Sequence, residues 1–141
     1  MFFIVYIDGG SRGNPGPAAW GAQVRDEGDA VLAELRGAIG VATNNVAEYT
    51  GLVSALEWCR DQGATRVHIK SDSLLLVQQM RGHYKVKHEG LKPLHGRARL
   101  IGAGFARLTF EHIPREQNTD ADRLANEAMD EAKAVRDADD L

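Results

Sequence analysis

Three strand-like runs joined only by turns open this chain, and from about residue 45 onward helix-like and strand-like stretches alternate. Strands linked by tight turns pair antiparallel, whereas strands separated by a helix return parallel. One mixed sheet with helices on its faces is therefore expected. Residues 2–8 are apolar up to Asp8 and read as a strand buried on both faces. Residues 18–25 alternate, with Trp20, Ala22 and Val24 on one side, and residues 30–36 alternate again after the turn Asp26-Glu27-Gly28-Asp29. Residues 45–61 carry Val46, Tyr49, Val53 and Leu56 on one helical stripe, and Gly63 lies where a helix-ending glycine belongs. A strand over 65–71, a short helix over about 73–81, a polar connector over 83–90, a helix over about 91–103, a strand over 107–113 and a helix over 119–133 complete the order. No repeat or long linker divides the chain. Residues 1–132 thus read as one domain, and 133–141 as an acidic, frayed tail.

Four acids fall where this layout leaves a strand or enters a helix. Asp8 and Asp72 end strand-like runs, and Glu48 and Asp122 lie just inside the first turns of two helices. If strands 1 and 4 are parallel neighbours, Asp8 and Asp72 emerge side by side at the carboxyl end of the sheet, where open α/β sheets place ligands. Carboxylates brought together repel unless a cation joins them, and hard oxygen donors suit Mg²⁺ or Mn²⁺. That combination points to metal-assisted chemistry on phosphate. Each acid also has a structural reading: Glu48 could pair with Asn45, and Asp122 with Thr119, in capping boxes. Asp72 could cap the helix after it, and Asp8 could be a turn aspartate.

The 141 residues suffice for one good core. No stretch approaches the roughly 18 apolar residues of a membrane span, and the apolar start is too short for a signal peptide. A cytoplasmic monomer with no obligate protein partner is the expectation. Cys59, the one cysteine, falls on an apolar stripe and reads as a buried thiol. The net charge of −3 hides segregation: residues 81–107 hold seven basic residues against Glu89 alone. Such a patch either binds a polyanion or is a solvated charged surface.

The segment Gly9-Gly10-Ser11-Arg12-Gly13-Asn14-Pro15-Gly16 lacks the Gly-Lys-Ser/Thr of a phosphate loop and is followed by strand-like sequence rather than a helix. It reads as a tight loop or as a small-residue wall that lets a nucleic-acid backbone approach Asp8. Thr43, Asn44 and Asn45 supply a helix cap and, with it, amide and hydroxyl groups for phosphates, sugars or bases.

The chain resembles the type 1 ribonuclease H family. The likeness rests on Tyr-Ile-Asp-Gly-Gly-Ser-Arg-Gly-Asn-Pro-Gly-Pro at 6–17, Thr-Asn-Asn-Val-Ala-Glu-Tyr at 43–49 and Ser-Asp-Ser at 71–73. It continues in Tyr-Lys-Val-Lys at 84–87 and Pro-Arg-Glu-Gln-Asn-Thr-Asp-Ala-Asp-Arg-Leu-Ala-Asn at 114–126, all in order. The resemblance implies a five-stranded sheet of order 3-2-1-4-5 and hydrolysis of the RNA strand of an RNA/DNA hybrid, leaving 5′-phosphate and 3′-hydroxyl ends. It implies two Mg²⁺ ions, with Mn²⁺ a possible substitute, bridged by Asp8 and completed by Glu48 and Asp72 at one site and Asp122 at the other. Asn14, Thr43, Asn44 and Asn45 match positions expected to meet the hybrid, and Gly9, Gly10, Ser11, Ser73, Lys85 and Lys87 are further candidates for substrate contact.

Three departures stand out. Only His83 to Gly90 separates the middle helices, so the chain resembles the branch without a long basic protrusion. The loop before the last helix has Arg115-Glu116-Gln117 where many members carry a histidine. Arg115 could orient or release the phosphate as a fixed cation but cannot take up a proton, and His112, within the strand, reads as structural. Leu74 stands where a glutamine is common. Rival readings are a non-catalytic hybrid-binding module, a DNA-directed metal nuclease and a metal phosphatase. The four acids oppose the first, and the Asn-rich cluster and Ala-Asp-Arg-Leu-Ala-Asn oppose the second. No small closed pocket is suggested for the third.

Overall fold

The computed structural model describes residues 1–140. Strands β1 (Phe2–Ser11), β2 (Gly16–Arg25) and β3 (Val31–Ala42) form an antiparallel meander. β4 (Arg66–Ser71) lies parallel to β1 on its other side, and β5 (Arg107–His112) lies parallel to β4, giving the expected order β3-β2-β1-β4-β5. Helices α1 (Asn44–Asp61), α2 (Leu74–Met80), α3 (Lys92–Gly102) and α4 (Thr119–Asp139) complete the fold. No described helix is long and apolar enough to cross a membrane.

The main core lies between α1 and one sheet face. Val5, Ile7, Val67 and Ile69 meet Leu52, Leu56 and Cys59, all fully buried. Each of the larger aliphatic side chains contributes roughly 1.5–3 kcal/mol by leaving water. α3 packs on the far side of α1. This explains why α1 buries Ala47, Tyr49, Leu52, Val53 and Ala55, more than the single stripe expected from its sequence. Tyr49 keeps its hydroxyl satisfied by donating to Gln79 Oε1 at 2.7 Å. Cys59 is buried as expected, and burial pushes its thiol up to about 12.

α4 covers the opposite face over β2, β3 and β1. It sits directly on β2: a Cβ on Gly21 would come within 2.4 Å of the Ala121 carbonyl oxygen. Little of that face is covered over β4 and β5, so β1 is not buried on both sides as its apolar run suggested. Phe3, Val5 and Ile7 are buried, while Phe2, Ile4 and Tyr6 stay half-buried.

Other boundaries also move. β1 continues through Gly9-Gly10-Ser11, which pair with Trp20, Ala19 and Ala18, so only Arg12 to Pro15 lie between the strands. Backbone pairing here overrides the poor strand propensity of glycine. β3 runs on to Ala42 rather than ending near 36, because β2 offers it a partner as far as Gly16. α4 continues past Lys133 to Asp139, although its last buried residue is Met129. An i,i+4 pair, Lys133 to Asp137 at 2.7 Å, spans the added turns.

Candidate active site

Local register explains how distant acids meet. β1 and β4 pair in parallel as far as Ile7 and Ser71, so the next residues, Asp8 and Asp72, leave that ladder side by side. Asp8 itself remains in β1, opposite Gly21. Glu48 lies one residue beyond the first turn of α1 and reaches the same place because α1 rests on Gly9. A Cβ there would stand 2.4 Å from the Ala47 carbonyl carbon and the Glu48 nitrogen. Asp122 arrives on the first turn of α4. That turn is tied to β1 by buried Asn118, whose Nδ2 donates to the Ile7 carbonyl at 2.8 Å.

The caps of α1 and α2 are supplied by other residues than Glu48 and Asp72, and α4 starts after Asn118 with no side-chain cap. Thr43 caps α1, its Oγ1 accepting from the Val46 N–H at 3.2 Å. Ser73 caps α2 in the same way from the Leu76 N–H, leaving the Asp72 side chain free. All four carboxylates instead line one cavity of 490 Å³, together with Gly9, Gly10, Ser11, Asn44 and Arg115. A larger cavity of 620 Å³ between α2, α3 and β5 contains Arg81 and Arg99 but no acid, so it is a poor place for carboxylate chemistry.

The cavity penalises negative charge. Burial raises the Asp8 pKa well above the usual carboxylate range, and the charge of Asp72 and the adjacent Asp122 carboxyl raise it further. Burial pushes Glu48 up to about 7, against a neighbouring Ser73 hydroxyl that favours its charged form. Asp72 is also raised, by burial, although the Arg115 charge opposes the shift. Arg115 Nε stands 4.0 Å from Asp72 Oδ2 with its side chain 90% exposed. One exposed guanidinium at that distance cannot neutralise four acids. Among the described residues, no three of these side chains are already drawn round one point as metal ligands. The donor set itself, four hard carboxylates with little positive charge beside them, fits a divalent cation.

The polar neighbours form a connected rim. Asn44 Oδ1 accepts from the Ser11 N–H at 2.8 Å and from its hydroxyl at 2.9 Å. The Asn44 N–H donates to Asn14 Oδ1 at 3.1 Å. This rim joins the β1–β2 loop to the start of α1, while Asn45 is exposed beside it. Lys85 and Lys87 do not line the carboxylate cavity; Lys85 borders a separate groove with Tyr84, Lys92 and His95. Sequence reasoning missed Arg12, Asn126 and Met129, which also line the cavity. Asn126 follows Asp122 by one helical turn, a spacing that could have revealed it. His112, read as structural, ends β5, exposed, with Nε2 3.3 Å from the Asp72 carbonyl oxygen.

The sequence matches the family described as Reverse transcriptase-like over residues 6–128. It is 50% identical to the bifunctional protein Rv2228c of Mycobacterium tuberculosis over 99% of this chain and 39% of that protein. The chain thus spans about two fifths of the length of the mycobacterial relatives it matches. The structure of RNase H1 from the halophilic archaeon Halobacterium salinarum superposes with a TM-score of 0.90 at 40% identity, covering 93% of this chain and 99% of that one. LC11-RNase H1, solved in complex with RNA/DNA hybrid, gives a TM-score of 0.87 at 45% identity, covering 92% and 98%.

Proposed function

The chain belongs to the ribonuclease H family, type 1, and on that premise we propose that it cleaves the RNA strand of RNA/DNA hybrids, leaving 5′-phosphate and 3′-hydroxyl ends. The observation that carries the reading is the convergence of Asp8, Glu48, Asp72 and Asp122 on one cavity. Its hybrid substrate is the ligand present in the LC11-RNase H1 complex.

Asp8, Glu48, Asp72 and Asp122 would hold two Mg²⁺ ions, or Mn²⁺. Bound there, such ions supply a Lewis acid for the phosphate, a more acidic water and charge stabilisation for the leaving oxygen. The chain's own residues perform the remaining tasks. Asn118 fixes Asp122 against β1 beside Asp8. Gly9, Gly10 and Ser11 keep the cavity wall low, so a sugar-phosphate backbone can approach Asp8 closely. Asn14, Thr43, Asn44 and Asn45 present amides and a hydroxyl from the rim, and Ser73 adds another beside Glu48. Arg115, a fixed cation at the mouth, attracts the scissile phosphate and eases its departure as product. Lys85 and Lys87 meet the duplex farther from the reacting bond. RNA differs from DNA by its 2′-hydroxyl, displayed in the minor groove of the hybrid, and Glu48 with the nearby amides would sense it.

The test is a cleavage assay on strand-labelled hybrid, duplex RNA and duplex DNA, with Mg²⁺ or EDTA, for wild type and Asp8→Asn. Cutting of the hybrid's RNA strand alone, abolished by EDTA and by the substitution, is the expected result. Cutting of DNA, or cutting that survives EDTA, would refute the proposal.

A further inference from the structure

The face that α4 shares with the sheet is largely uncovered over β4 and β5. Alternate residues of three neighbouring strands point there. β1 presents Phe2, Ile4 and Tyr6, half-buried, as an apolar row. Beside it β4 presents Arg66, His68 and Lys70, and β5 presents Arg107, Thr109 and Glu111. In the strand register Phe2 pairs with Arg66, and Arg66 with Arg107. Like charges directly opposite on adjacent strands are destabilising, and little nearby offsets this pair. Arg66 has Glu27 at 3.7 Å, both well exposed, and Arg107 has no ion pair among the described residues. Glu111 is already engaged by His68 at 2.8 Å.

The cations lie against the rings. The Arg66 guanidinium carbon is 4.5 Å from the Phe2 ring centroid, and Lys70 Nζ is 5.2 Å from that of Tyr6. Between Phe2, Arg66, His68, Arg107 and Thr109 lies a cavity of 360 Å³. Side chains two apart on one strand are separated by roughly 6.6 Å, close to the step between nucleotides of an extended strand. Weakly engaged cations and aromatic rings on an open sheet make up the usual equipment for holding single strands, by phosphate contact and by base stacking.

We propose that this open face binds single-stranded nucleic acid, with phosphates at Arg66, Arg107 and Lys70 and a base against the Phe2–Arg66 pair. An acidic peptide would satisfy the arginines but leave the aromatic row unused. A duplex is too broad for three strands, which span roughly 10 Å. Phe2 lies at the opposite end of β1 from the carboxylates, roughly 20 Å along the strand from Asp8. Phe2, Arg66 and Arg107 are therefore remote from the carboxylate cavity, whereas Lys70 stands two residues before Asp72; the proposal does not depend on the catalytic reading.

The test is fluorescence anisotropy of the full chain with a labelled twelve-nucleotide oligo-dT in EDTA. It is run over a salt series for wild type, Lys70→Ala and the double variant Arg66→Ala/Arg107→Ala. Melting temperature and hybrid-cleavage rate establish that the variants are folded. The expected result is binding that weakens about tenfold in the double variant and less in Lys70→Ala. The salt slope should fall by about 1.4 on loss of two phosphate contacts, with cleavage of a short hybrid unchanged. Unlabelled hybrid in excess should leave the oligonucleotide bound. Wild-type affinity in the double variant, or displacement by the hybrid, would overturn the proposal. So would binding of a poly-glutamate peptide, dependent on both arginines, without binding of oligo-dT.

Discussion

Burial takes Asp8 out of water while Asp72 and Asp122 stand beside it, so its charged form is disfavoured from several directions. Its folded pKa is raised, which means the folded chain retains a proton that the unfolded chain has already released. Stability of the metal-free protein therefore falls as pH rises from about 4 through neutrality. Glu48, at about 7, acts in the same sense. In EDTA the melting temperature should drop between pH 5 and pH 8, by less in Asp8→Asn, and Mg²⁺ should restore more stability at pH 8 than at pH 5. Superimposable pH profiles for wild type and Asp8→Asn would contradict this. The same substitution should cut activity by about a thousandfold, the scale on which one lost electrostatic stabiliser acts. Arg115 gives a different signature. Its side chain is 90% exposed, so Arg115→Ala should leave the melting temperature unchanged, since exposed pairs contribute about 0–1 kcal/mol. Turnover should fall about tenfold with KM within about threefold, and Arg115→Lys should recover part of the loss. A change in KM alone would assign Arg115 to binding instead.

At the scale of elements, helices must touch strands closely for their acids to meet. Gly9→Ala would drive a methyl group into the backbone of α1 at 2.4 Å. Such overpacking costs about 1–3 kcal/mol, and the helix it displaces carries Glu48. The variant should melt earlier and lose activity beyond what reduced stability explains, measured well below its transition. Asn118→Ala removes the 2.8 Å link from α4 to Ile7. Its Oδ1 is buried with no partner among the described residues, so the side chain is retained at a cost. Activity should fall while metal-free stability changes by no more than about 1–3 kcal/mol. Full activity in this variant would show that Asp122 finds its place unaided. Order and direction of the elements were legible in the sequence because turn-joined and helix-joined strands have different pairing rules. Their ends were less so: Gly9 to Ser11 extend β1 only because β2 is there to pair with them. The half-buried row of β1, Phe2, Ile4 and Tyr6, was hidden by an apolar run that reads the same whether one face is covered or two.

For the molecule as a whole, all four acids were legible in the sequence, since each closes an apolar run or lies near the start of a helix, although β1 runs on past Asp8 to Ser11. Arg12 was not, because a polar residue in a loop carries no periodic signal; Asn126 was overlooked although it follows Asp122 by one helical turn. The basic run over 81–107 is real in sequence, but the fold distributes it over several grooves, with Lys85 and Lys92 in one and Arg81 in another. Substrate choice belongs to this scale, because it needs the rim and the carboxylates at once. Hybrids with a 2′-deoxy or 2′-methoxy group at the cut site should resist cleavage by about a hundredfold or more, the scale set by leaving buried polar groups unpaired. Equal rates would remove the 2′-hydroxyl from recognition. The most direct measurement is anomalous scattering from crystals of the chain soaked in Mn²⁺. Peaks bound by Asp8 together with Glu48, Asp72 or Asp122 are expected; Mn²⁺ bound elsewhere, with none in reach of Asp8, would contradict a metal centre built on these four carboxylates.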